Sequence, residues 1–146
     1  MYMKRMPILR MIAMFELVLG VWGLLQGGLS AYAVIIDMDG LLQMAAEMGT
    51  ELSKFEIFCS LFVTLAGGII MTAAGILGLL FGGKEGKEKP PIFCGYALFI
   101  YLIVGDAVSV LALGGQISLS MLLPFVIHAF YLWAAFRNKK DLEAAV

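Results

Sequence analysis

The chain has 146 residues, of which 62% are hydrophobic and only 14% charged. A soluble domain is typically about 45–50% apolar and about 25% charged, so this composition excludes an ordinary soluble domain and a disordered chain alike. Four windows, about residues 7–28, 55–81, 92–113 and 117–136, contain only four charged residues, Arg10, Glu16, Glu56 and Asp106, while the rest lie outside them. That is the charge distribution of a multi-pass membrane protein.

The first window runs from Pro7 past Arg10 and Glu16 to Gly27-Gly28. About 20 apolar residues at about 1.5 Å per residue cross a hydrocarbon core of about 30 Å, and each window reaches that length. Ala31-Tyr32-Ala33 matches a small-x-small cleavage site after a basic start. The apolar stretch is too long for a signal peptide and contains Glu16, so it is read as a true span.

The connection 29–54 is acidic, with Asp37, Asp39, Glu47 and Glu51 against Lys54. Its apolar beginning, Leu29 to Met38, extends the first helix. Leu41, Leu42, Ala45, Met48 and Leu52 then recur at helical spacing, which predicts a short amphipathic outer helix. Asp37-Met38-Asp39-Gly40 resembles the start of a calcium loop. It lacks the remaining ligand positions and is read as a turn between helical pieces.

Ser53-Lys54-Phe55-Glu56 fits a capping box that starts the second span, which stops at Gly82-Gly83. Pro90-Pro91 turns the chain into the third span, which Gly114-Gly115 ends, and Ser118 or Ser120 is expected to cap the fourth. The runs are Leu/Gly/Ala-rich without strand alternation, so they read as helices. The expected fold is an all-α integral membrane protein. It is a single domain over 1–146, built as a four-transmembrane-helix antiparallel bundle with the short outer helix between spans one and two.

Lys and Arg set the direction. Lys4, Arg5 and Arg10, then Lys84, Lys87 and Lys89 in the loop 82–91, then Arg137, Lys139 and Lys140 in the tail 137–146 share one side of a four-span chain. The positive-inside rule places that side, with both termini, in the cytoplasm of a cell-membrane protein.

Cys59 and Cys94 sit near opposite ends of their spans and are read as unpaired buried residues. Gly20 to Gly28 echoes Gly75 to Gly83, an inverted similarity that common Gly and Leu usage explains.

Glu56, Ser60, Thr64, Gly68, Thr72 and Gly75 share one face of the second span, a helix-packing or pathway face. Gly20, Gly23 and Gly27 form a helix-contact face on the first.

Glu16 lies deep in span one and His128 at a comparable depth on span four, its neighbour in an up-down bundle. Asp106 lies in the outer half of span three with Ser109 on its face, and Tyr101 is nearer the depth of Glu16. Intramembrane ionisable groups are costly, so they pair, face the interior, or bond a partner helix. Glu16, His128 and Asp106 are therefore the candidate ion, proton or polar-contact site. Pro124, four residues before His128, is expected to kink the fourth span beside it.

No spacing supports a metal site, a cofactor, a catalytic centre or nucleic-acid binding. The leading reading is a non-enzymatic bundle that associates with itself or serves a larger membrane assembly, in contact with the lipid bilayer. The alternative is a small proton- or cation-coupled transporter or channel using Glu16, Asp106 and His128.

Overall fold

The computed structural model describes residues 8–111 and 119–144. They form four α-helices: α1, Ile8–Glu47; α2, Lys54–Phe81; α3, Lys89–Leu111; and α4, Leu122–Glu143. A 3-10 turn, Leu119–Met121, leads into α4. Gly114, Gly115 and Ser118 lie outside the described residues, and the cap position of α4 is Met121, with no side-chain cap bond.

Each helix packs on its neighbours in chain order, and α4 closes on α1. Residue pairing gives the direction. Along α1 and α2, Ala13 approaches Gly78, Leu17 approaches Gly75, Gly20 approaches Thr72 and Gly23 approaches Gly68. One number rises as the other falls, so the two are antiparallel. The same holds for α2 and α3 through Gly67–Tyr101 and Val63–Gly105. Tyr96–Phe136 and Phe99–Phe125 ring contacts show it for α3 and α4.

Among the described residues, α1, α2 and α3 are long and apolar enough to cross a membrane. Helix α4 is not, because it begins at Leu122 and ends in the polar stretch Arg137–Glu143.

The buried core is small: Leu9, Ala13, Ala74, Cys94, Leu98, Tyr131, Ala134 and Ala135. Most large apolar side chains, such as Phe15, Trp22, Ile35, Phe62 and Phe93, point outward. An inside-out distribution of this kind suits a surface that is not meant to meet water. Small residues line the seams, so the backbones approach closely.

The outer helix is present and follows the first span without an intervening loop. Ile8–Glu47 is two helical pieces that meet at a kink at Asp37, whose φ/ψ of −150/71° is non-helical. The apolar run from Leu29 to Ile36 holds no stop signal, so the helix persists until Asp37. There the carboxylate accepts the Gly40 N–H at 2.8 Å, which makes Asp37 the N-cap of the piece that follows. The resemblance of 37–40 to a calcium loop is this cap. An exposed Asp39–Lys54 ion pair at 2.9 Å joins the post-kink piece to α2. Exposed pairs contribute only about 0–1 kcal/mol, so the cap outweighs it. Asp37→Ala is therefore expected to cost about 1 kcal/mol and to speed amide exchange over residues 38–47, with α2 unchanged. Hydrogen exchange by mass spectrometry checks this.

One local expectation changes, at Pro124. It falls in the first turn of α4, where a backbone N–H has no intrahelical partner anyway. It therefore removes no helix bond and makes no kink beside His128.

Ser53 caps α2 as its sequence spacing suggests. The Glu56 N–H donates to Ser53 Oγ at 3.2 Å, and Glu56 Oε2 accepts the Ser53 N–H at 2.6 Å. Pro90 and Pro91 occupy the first turn of α3, where proline is tolerated.

Candidate functional site

Helix α1 places Glu16 on the face it shares with Ala13 and Gly20, all buried. Helix α4 places His128 on the face it shares with Tyr131, Ala135 and Asn138, at helical spacings of three, seven and ten. The two faces meet inside the bundle. His128 Nδ1 lies 2.7 Å from Glu16 Oε1, with the side chains 1% and 0% exposed. A bond of that length between a carboxyl group and an imidazole is strong when both groups are shielded from bulk solvent, as these are.

Among the described residues, the α1–α4 interface is the smallest of the four between neighbouring helices. This one bond is thus its principal polar tie. Below it, the Tyr131 hydroxyl donates to the Ala74 carbonyl at 2.8 Å, which joins α4 to α2 across the bundle. At the end of the same face, Asn138 Oδ1 accepts the Gly83 N–H at 2.8 Å and fixes the loop after α2. Three polar contacts on one stripe of α4 therefore reach α1, α2 and the α2–α3 loop. Tyr131 and Asn138 were not singled out from the sequence, yet both share the i, i+3, i+7, i+10 face that starts at His128.

The pair is not fully satisfied. Among the described residues, Glu16 Oε2 and His128 Nε2 are buried without a hydrogen-bond partner, as is Thr72 Oγ1. Buried polar atoms without partners are uncommon and mark either strain or a place where protons or water are held.

Asp106 does not join them. It is half-buried one residue past Gly105, which packs against Val63, whereas Glu16 lies at the level of Gly75 and Gly78. Twelve or so helical residues separate those levels, roughly 18 Å. Tyr101 packs over Gly67, between the two levels. The structure therefore joins two of the three candidate residues and leaves the third apart.

The polar and small face of α2 divides in two. Gly68, Thr72 and Gly75 lie in the seam with α1, against Leu24, Gly20 and Leu17. Gly23 meets Gly68, and Gly27 meets Leu65 and Thr64. Glu56, Ser60 and Thr64 instead line a cleft of about 480 Å³ between α2, the upper part of α1 and the post-kink piece. The Thr64 hydroxyl donates to the Ser60 carbonyl at 2.9 Å, so it satisfies itself on its own helix.

Cys59 and Cys94 are unpaired thiols. Among the described residues, no group of three His, Cys, Asp or Glu side chains is placed to hold a metal ion.

Compared with known proteins, the chain matches no family model, no curated protein and no solved structure.

Proposed function

We propose that the chain is a multi-pass protein of the cell membrane with four spans and both termini on the cytoplasmic side. It has no catalytic site and acts as a structural bundle, associating with itself or with a larger membrane assembly. Three helices apolar enough to cross a membrane support the multi-pass reading. The uncharged sequence window 117–136 supports the fourth span. The Lys/Arg bias of the segments 1–10, 82–91 and 137–146 supports the orientation.

The observation that carries the structural reading is the sealing of Glu16 and His128. An ion path needs access to its site, whereas a helix-ordering bond needs water kept out. Both side chains are at most 1% exposed, and they tie the thinnest interface of the ring. The outward-facing aromatic and aliphatic side chains are left for lipid or for a partner helix.

One observation favours a second reading, a proton- or cation-coupled transporter. Among the described residues Glu16 Oε2 and His128 Nε2 have no partner, which leaves two polar atoms of the pair for a proton or cation to engage.

Reconstituted vesicles separate the two. The structural reading expects proton and cation flux no greater than that of empty vesicles, for the native chain and Glu16→Gln alike. It also expects Glu16→Gln to weaken assembly or thermal stability. Flux in the native chain that Glu16→Gln abolishes would establish the transporter.

A further inference from the structure

The cleft beside Glu56 is unassigned by either reading. We propose that it binds a cationic amphiphile, with the hydrocarbon chain in the cleft and the ammonium group on Glu56.

The first support is shape. The cleft holds about 480 Å³ and is bounded by three separate segments, α1 before the kink, the post-kink piece and α2. Small-molecule sites typically measure about 300–1,000 Å³ and are mostly apolar with a few placed polar groups. Here Val34, Met44, Met48, Ile57 and Leu61 supply apolar wall. The two methionines are flexible and fit themselves to a chain of variable shape. Thr64 turns its hydroxyl back to Ser60, so that part of the wall asks nothing of a ligand.

The second support is charge. Among the described residues, Glu56 is the one ionisable residue in the lining. Its position is fixed, because Oε2 accepts bonds from the Ser53 N–H at 2.6 Å and the Ser53 hydroxyl at 2.7 Å. Both bonds go to Oε2, which leaves Oε1 for a ligand. The surrounding connection adds Asp37, Asp39, Glu47 and Glu51, and its single basic residue, Lys54, is taken by Asp39 at 2.9 Å. The local field therefore attracts a cation and repels an anionic headgroup. An apolar body with a positive end meets both conditions; a neutral lipid meets one, and an anionic lipid is opposed.

This inference does not depend on the role of Glu16 and His128. The test uses the full chain in phosphatidylcholine nanodiscs, with radiolabelled dodecyltrimethylammonium as probe and empty nanodiscs subtracted. Saturable binding of one probe per chain is expected, with at least tenfold weaker binding of dodecyl sulfate or dodecanol in competition. Glu56→Gln is expected to weaken probe binding at least tenfold. Glutamine also completes a capping box, so this variant keeps its fold, as its melting curve verifies. Ala33→Phe, which fills the cleft from α1, is expected to abolish binding while leaving Glu56 in place. Unchanged affinity in Glu56→Gln, equal competition by dodecyl sulfate or dodecanol, or no saturable binding by the native chain would overturn the proposal.

Discussion

Replacing either Glu16 or His128 by Leu is expected to destabilise the bundle by about 1–3 kcal/mol, because each single change leaves a buried polar partner unsatisfied. Replacing both is expected to cost less than the sum. The remaining orphan has then gone, and two apolar side chains of suitable size fill the space. Interhelical hydrogen bonds inside membranes average only about 0.6 kcal/mol and reach about 1.7. The Glu16–His128 bond belongs at the upper end, since it is 2.7 Å long and fully sealed. A double-mutant cycle, read by reversible unfolding in mixed micelles, should therefore give a coupling of about 1–2 kcal/mol. Strict additivity would mean that the two side chains do not act on each other.

The second large effect is expected at the α1–α2 seam. A Cβ built on Gly75 would lie 2.6 Å from Leu17 N and Cβ and 2.7 Å from Leu17 Cα. Two of those atoms are backbone, so a rotamer change cannot relieve the clash and the helices must part. Overpacking in a core ordinarily costs about 1–3 kcal/mol. Gly75→Val is expected to reach or exceed about 3 kcal/mol, because it also opens the contacts at Gly68 and Gly78 on the same seam. Gly28 is the control. Among the described residues, nothing lies within 4 Å of its added Cβ. Gly28→Ala should then be neutral or stabilising by up to about 1 kcal/mol, through helix propensity alone. Unfolding of the two variants side by side checks this. Equal tolerance would mean that the two backbones are not in close contact.

In the proposed membrane setting the two effects share a cause. In a membrane, lipid tails are as apolar as leucine, so burial gives helices little reason to associate. Packing of backbones and a few hydrogen bonds must supply it. The glycine seam serves α1 and α2, and the polar stripe of α4 serves the thinner α1–α4 contact.

Much of this was legible in the sequence. The helix positions follow from long apolar windows, and the Ser53–Glu56 cap follows from a spacing with a single local geometry. The meeting of Glu16 and His128 follows from chain order and equal depth, because an up-down bundle makes the first and last helices neighbours. What was not legible depended on information outside any one window. That the first span and the outer helix join directly at Asp37, with no loop between them, turns on how the chain negotiates that residue, and a capping aspartate reads the same at a kink as at a turn. The division of the α2 face required knowing where α1 leaves the seam and the cleft opens. Tyr131 passed unnoticed because a tyrosine in an apolar run carries no polar signal until its hydroxyl finds the Ala74 carbonyl. Asp106 was grouped with Glu16 by residue type, although its level in the bundle is different.

His128 is the only histidine in the chain. Solid-state NMR of protein labelled with 15N-histidine and 13C-glutamate therefore reports one imidazole without assignment. The expected spectrum shows an Nδ1 signal shifted by a strong hydrogen bond, with a cross-peak to a carboxyl carbon that vanishes in Glu16→Gln. An imidazole that exchanges freely with water, and whose spectrum Glu16→Gln leaves unchanged, would contradict a sealed pair that holds α1 to α4.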